Sequence, residues 1–121
     1  KAQMTLDNIA RLKALKHPMN RAIAGLLEFA ILRYQQFYQT EGFPIHDACA
    51  VAVAINRSIA TLKHTFVDVV TGESLAEGRT LYDLNNRYGK TPNAEVAVDL
   101  QGEKVIEMLF DVMESYESVS Q

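Results

Sequence analysis

The chain has 121 residues, 48% of them hydrophobic and 22% charged, with 12 Lys and Arg against 15 Asp and Glu. That length and balance exclude a disordered or low-complexity chain and suffice for a buried core in one domain. A formal net charge of -3 argues against a nucleic-acid binder, and no apolar run reaches the roughly 18 residues of a membrane helix.

The chain opens on Lys1 rather than methionine, which fits a processed product or a piece of something longer. Leu6, Ile9, Ala10, Leu12 and Leu15 fall on one side of a short amphipathic helix. Pro18 breaks it and suits the first turn of a second helix. Ile23, Leu26, Leu27, Ala30, Ile31, Tyr34, Phe37 and Tyr38 then recur at three- and four-residue steps. They predict a helix on the order of 30 Å long, ending near Gln39. Thr40 to Ile45, with Gly42 and Pro44, reads as a loop. Ala48 to Ile55 is apolar without interruption. Val51, Val53 and Ile55 alternate as in a strand, whereas the alanines and Asp47 as a ready N-cap favour a buried helix. Periodicity alone leaves both open. Cys49 is the single cysteine, so the chain has no internal disulfide framework and a cytoplasmic setting is expected.

From His64 to Val70 the density of β-branched residues predicts a strand, and Thr71 to Ser74 a turn. Leu75 to Leu84 holds the returning strand of a hairpin, and Asn85 to Asn93 a second loop. Val96, Val98 and Leu100 alternate with Glu95, Ala97 and Asp99, a third strand with one buried face. Gly102 to Glu117 closes the chain as a helix with Val105, Leu109, Val112, Met113 and Tyr116 on one stripe. The expected fold class is α+β: helices first, a small mostly antiparallel sheet, then a helix, as a single unit over residues 1–121.

Chemistry is concentrated in few places. The sequence has no glycine-rich phosphate loop, paired cysteines, nucleophile elbow or EF-hand loop. His17, beside Pro18, and His64, opening a strand, read as surface or structural residues. Lys13, Lys16, His17 and Arg21 form a modest positive patch without a base-reading pattern. His46-Asp47 differs, because a Gly/Pro loop delivers the pair to the start of an apolar segment, where functional groups are presented from a rigid support. Asp47 offers an anionic oxygen to a hard cation such as Ca²⁺, and His46 can donate a proton near neutral pH. The plainer reading makes Asp47 a helix cap and His46 a loop residue. One carboxylate does not build a calcium site that takes about six to eight oxygens. Tyr34 and Tyr38 stand one helical turn apart at the end that leads into this loop. Aromatics so spaced usually serve a core, yet their hydroxyls could line a pocket for a planar ring.

The run Gly42-Phe43-Pro44-Ile45-His46-Asp47-Ala48-Cys49-Ala50-Val51-Ala52 resembles the late signature of the inosine–uridine-preferring nucleoside hydrolases. Phe66 to Val70, and Leu75-Ala76-Glu77-Gly78-Arg79-Thr80-Leu81-Tyr82-Asp83, are similar to that family's strand, turn and "T-R-G-x-T-x-x-D" return. Pro92-Asn93-Ala94-Glu95-Val96-Ala97 is similar to its "P-N-x-x-V-A" strand. Cys49 stands where a leucine is frequent, and Glu77 replaces the usual Arg. The family's opening "D-x-D-x-x-x-D-D" strand motif has no counterpart here, so the resemblance maps the chain onto the C-terminal part of an α/β nucleoside hydrolase fold.

The resemblance implies a parent reaction that hydrolyses the N-glycosidic bond of a ribonucleoside to ribose and free base. In it a calcium-bound water attacks an oxocarbenium-like ribose while an acid protonates the leaving base. By the same resemblance His46 matches the proton donor, and Asp47 a Ca²⁺ ligand that also holds ribose hydroxyls. Tyr34 and Tyr38 match the helix near the base pocket. Homo-oligomers are expected, no membrane or nucleic-acid partner is, and the isolated chain is expected to be inactive. The competing expectation is a non-catalytic α+β interaction or oligomerisation module derived from that fold.

Overall fold

A computed structural model of the chain describes residues 1–119, which gather into two compact units: Lys1–Ile59 with the chain from Leu100 onward, and Ala60–Asp99. Among the described residues no helix is long and apolar enough to cross a membrane.

The first unit begins with strand β1, Gln3–Thr5, which runs directly into helix α1, Leu6–Ala14. Thr5 caps that helix. Its Oγ1 accepts from the Asn8 backbone N–H at 3.3 Å, and Asn8 Oδ1 accepts in return from the Thr5 N–H at 2.9 Å. This reciprocal box satisfies two donors that a helix start leaves orphaned. Helix α2 follows over Pro18–Phe37, with Pro18 in its first turn and His17 as its cap, the ring Nδ1 accepting from the Met19 N–H at 3.2 Å. His17 is therefore structural. Strand β2, Gly42–Pro44, helix α3, His46–Ile55, a 3-10 turn at Arg57–Ile59 and helix α4, Gly102–Val119, complete the unit.

Its core gathers one stripe from each element. Met4, Ile9, Leu12, Ile31, Ile59, Val105 and Phe110 are all but fully buried. Each such side chain contributes roughly 1.5–3 kcal/mol relative to exposure. The stripe of α2 is narrower than the periodicity predicts. Ala24 and Ile31 are buried beside the polar Asn20, while Leu26 and Phe29 are each 71% exposed. Helix α2 stops at Phe37, and Tyr38 is its C-cap in extended conformation rather than a helical residue. Helix α4 likewise turns Phe110 inward and Val112 outward, correcting the predicted stripe. Asn20 and Glu117 join α2 to α4. The Asn20 amide donates to the Met113 carbonyl and to Glu117 Oε1, each at 2.9 Å, and the Glu117 carboxylate also accepts from the Lys16 and His17 backbone N–H groups.

The second unit is built from β3, Ala60–Thr65, β4, Val67–Val69, β5, Thr80–Tyr82, and β6, Ala94–Leu100. The predicted hairpin is present: β4 pairs antiparallel with β5, Val67 opposite Tyr82 and Val69 opposite Thr80. Gly78, at φ +79°, supplies the left-handed residue at its turn. The single strand expected over 64–70 is instead two, interrupted at Phe66 and starting earlier, at Ala60. β3 pairs with β6 in a separate two-stranded sheet. Its buried residues are polar ones. Asp83 accepts from the Tyr88 and Arg87 N–H groups at 2.7 and 2.8 Å, and the Thr65 hydroxyl donates to the Asp83 carbonyl. The N–H of Tyr88 above all holds the Asp83 carboxyl below its ordinary range. Among the described residues, four helices and small antiparallel sheets make the fold α+β, as the pattern predicts.

Candidate active site

The His46-Asp47 pair stands on a clamped entry. The segment ahead of it, expected as a loop, is strand β2, which pairs antiparallel with β1: Gln3 opposite Pro44, Met4 opposite Phe43, Thr5 opposite Gly42. Pro44 can close such a strand because a proline gives up only a donor at the ladder's end. Gly42 is required for the pairing, since a Cβ there would lie 2.9 Å from the Met4 carbonyl oxygen and 3.1 Å from the Gln3 Cβ. One residue further, the Ile45 N–H donates to the Ala2 carbonyl at 3.3 Å, extending the clamp to the start of the helix.

Helix α3 then settles the open choice between strand and helix in favour of helix. Its N-cap is the buried Ile45, with no side-chain cap hydrogen bond, so the expectation of Asp47 as N-cap is corrected. His46 and Asp47 are instead the first two helical residues, and both are exposed. Asp47 complements the positive end of the helix from its first turn. Cys49, one turn on, is half-buried, and burial pushes its thiol up, away from nucleophilic use.

The tyrosines lie at the foot of the same entry. Tyr34 and Tyr38 stack on each other with ring centroids 4.4 Å apart. Tyr34 also meets Phe43 of β2 edge-on at 5.5 Å. The structure thus brings Tyr34 and Tyr38 together and ties them, through Phe43, to the strand that ends two residues before His46. Sequence reasoning missed β1 and its role in aiming the pair. The signal was faint: three residues, Gln3 to Thr5, with only Met4 apolar and turned inward.

Among the described residues no group of three or more His, Cys, Asp and Glu side chains could hold a metal ion. Asp47 by itself does not fit calcium, which takes about six to eight oxygens. What the chain presents is one candidate acid and one carboxylate, side by side on a helix start, with an aromatic cluster behind the entry strand.

Comparison with known proteins identifies the family of the chain. The model of the family described as inosine-uridine preferring nucleoside hydrolase matches residues 1–107, and the chain belongs to that family. The pyrimidine-specific ribonucleoside hydrolase RihA of Shewanella woodyi is 29% identical over 116 residues, covering 95% of this chain and 37% of the relative. The corresponding RihA of Salmonella gallinarum is 29% identical over 121 residues, covering 96% of this chain and 38% of its own length. Among solved structures, a purine-preferring ribonucleoside hydrolase from Gardnerella vaginalis superposes with a TM-score of 0.82 at 20% identity, over 98% of this chain and 38% of that one. A plant nucleoside hydrolase gives 0.78 at 18% identity, over 93% and 37%. The fold of the chain is therefore shared with part of a nucleoside hydrolase, and the chain spans a little under two fifths of the relatives it matches.

Proposed function

We propose that residues 1–121 are the C-terminal portion of a ribonucleoside N-glycosidase, contributing an acid and a carboxylate to an active site completed by residues outside this chain. The observation that carries the reading is the exposed His46-Asp47 pair on the first turn of α3, at the end of a strand whose pairing fixes its direction. In this reading His46 donates a proton to a ring nitrogen of the departing base, turning a poor leaving group into a neutral one. Asp47 faces the ribose side and would lend one oxygen to a calcium site, whose other ligands are not among the described residues. Tyr34 and Tyr38, stacked on each other, line the side of the base together, with hydroxyls suited to a planar heterocycle.

Pyrimidine ribonucleosides are the first substrates to test, because the two curated relatives are named as pyrimidine-specific. The exposed Leu26, Phe29 and Leu32 of α2 supply an apolar face for a homo-oligomer contact, and the single unpaired cysteine supports a cytoplasmic setting. The non-catalytic alternative keeps one observation in its favour, the lack of a metal-holding group among the described residues. The test replaces the matched segment of the Shewanella woodyi relative with this chain and measures hydrolysis of uridine. His46→Ala should lower uridine turnover about 100-fold or more, the usual worth of a positioned acid. A nitrophenyl riboside, whose leaving group needs little protonation, should lose far less. Equal losses on both substrates would remove His46 from the acid role.

A further inference from the structure

The second unit, Ala60–Asp99, holds a cleft that the reading above does not use. Its base is one side of the β4–β5 hairpin. Asp68 pairs with Leu81, and two positions along the ladder the Asp83 N–H donates to the Phe66 carbonyl at 2.9 Å. Side chains two apart on a strand share a face, so Phe66, Asp68, Leu81 and Asp83 lie together. The segment from Leu84 to Pro92 is tied back at both ends. The Asp83 carboxylate accepts from the Arg87 N–H on one oxygen and the Tyr88 N–H on the other, and Lys63 donates to the Leu84 carbonyl. Just beyond its far end, the Asn93 side chain is paired with Val67. Asn86 and Gly89 turn through the left-handed region, at φ +51° and +60°, and the Lys90 ammonium comes to rest 4.5 Å from the centre of the Phe66 ring. Two open lobes remain, sharing Phe66, Asp83 and Lys90. The first, about 160 Å³, adds Asp68, Leu81, Tyr82 and Tyr88. The second, about 360 Å³, adds Lys63, His64 and Thr91 among others.

We propose that this cleft is a second binding site, for a planar heteroaromatic ring joined to a phosphate, the chemistry of a nucleoside monophosphate. Tyr82 is 58% and Tyr88 67% exposed, and among the described residues neither ring is paired with another. Exposed rings on a held backbone are what a base stacks on. Asp68, unlike Asp83, is not consumed in tying down the loop, and its carboxylate can accept from ring N–H groups. The same carboxylate repels a phosphate from the first lobe, while Lys63, His64 and Lys90 attract it to the second. Among the described residues the Lys90 ammonium makes no ion pair and the His64 ring no hydrogen bond, so both keep their donors for a ligand. This positive lobe is local: residues 60–99 carry four Lys and Arg against six Asp and Glu. Its volume falls within the range of about 300–1,000 Å³ usual for ligand sites. With the loop pinned at both ends, little ordering remains for binding to impose. No residue of the cleft belongs to the His46-Asp47 entry, so the two sites stand or fall separately.

The experiment titrates guanosine 5′-monophosphate, guanosine and inorganic phosphate into the isotope-labelled chain and follows its backbone amide resonances. The same titrations run by calorimetry on the chimeric hydrolase give a second reading in a complete domain. Saturable shifts are expected at Phe66, Leu81, Tyr82, Tyr88 and Lys90 with the nucleotide. Guanosine, lacking the phosphate, should bind about tenfold or more weakly, and inorganic phosphate more weakly still. Lys90→Met keeps the apolar stem over Phe66 and removes only the charge. It should weaken the nucleotide about tenfold and leave guanosine unchanged. Tyr88→Ala should weaken both by about tenfold, because stacking does not depend on the phosphate. In the chimera, the Lys90→Met loss should persist when His46 is also changed to Ala. No saturable binding to either protein, or shifts confined to residues outside the cleft, would overturn the proposal. So would inorganic phosphate or guanosine binding as tightly as the nucleotide, or nucleotide affinity indifferent to Lys90→Met.

Discussion

The two units of the chain are held together by different physics. Among the described residues, the twelve buried hydrophobic ones all lie in the first unit, Met4, Ile31, Val105 and Phe110 among them. In the second, the buried residues are Thr65 and Asp83, and order comes from directed hydrogen bonds. The Asn93 side chain shows this well: its amide donates to the Val67 carbonyl at 2.9 Å and its oxygen accepts from the Val67 N–H at 2.8 Å, pairing a side chain with a strand as another strand would. Apolar packing is non-directional and pools over many contacts, whereas a hydrogen-bond network depends on each member. The unit with the packed core is also the one that carries His46 and Asp47, the arrangement a positioned pair requires.

That contrast can be broken by experiment. The largest effect should come from Phe110→Ala, which empties a fully buried aromatic site over which the Arg11 guanidinium sits 3.8 Å from the ring centre. A loss of about 3–5 kcal/mol in urea-induced unfolding is expected. A loss below about 1 kcal/mol would show that the first unit does not depend on its apolar core. Asp83→Ala should act locally instead. With the acceptor of the Arg87 and Tyr88 N–H groups gone, amide exchange should rise over residues 83–90, with a smaller change in the overall midpoint than Phe110→Ala gives. Equal midpoint losses in the two variants would erase the distinction between the units.

The smallest effect is pH-dependent. Glu117 accepts the His17 and Lys16 N–H groups and the Asn20 amide, and the His17 N–H first among them holds its carboxyl below the ordinary range. A depressed carboxyl stabilises the fold above its unfolded value, about 4.3, and that contribution is lost as pH falls through the lower folded value. Glu117→Gln should therefore unfold at lower denaturant than the parent at pH 7, with the gap closing toward pH 3. A gap that stays constant across that range would remove the charge from the account.

The sequence made the long elements legible because their signals repeat. The three- and four-residue steps of α2 and α4, and the hairpin that joins Val67–Val69 to Thr80–Tyr82, all rest on several residues agreeing. Which face is buried was harder to read. Leu26 and Phe37 fit the apolar period of α2 yet stay exposed, and on α3 the apolar Val51 and Ile55 are exposed as well. A period reports that a face is apolar, not what covers it. The site was half legible. His46-Asp47 stood out by its setting after a Gly/Pro segment, but the device that fixes it, a three-residue strand pairing across some forty positions, leaves almost no local trace. Gly42 looked like a loop glycine, whereas only its lack of a Cβ lets β2 approach β1. Asp83 was visible as the final residue of a motif, with no hint that it binds backbone rather than substrate.

The most direct test of the central claim, that His46 is the acid of a nucleosidase site, is the ratio of the His46→Ala losses on uridine and on a nitrophenyl riboside in the chimeric hydrolase. A loss of about 100-fold or more on uridine and a much smaller one on the activated riboside is expected. A ratio near one would contradict it.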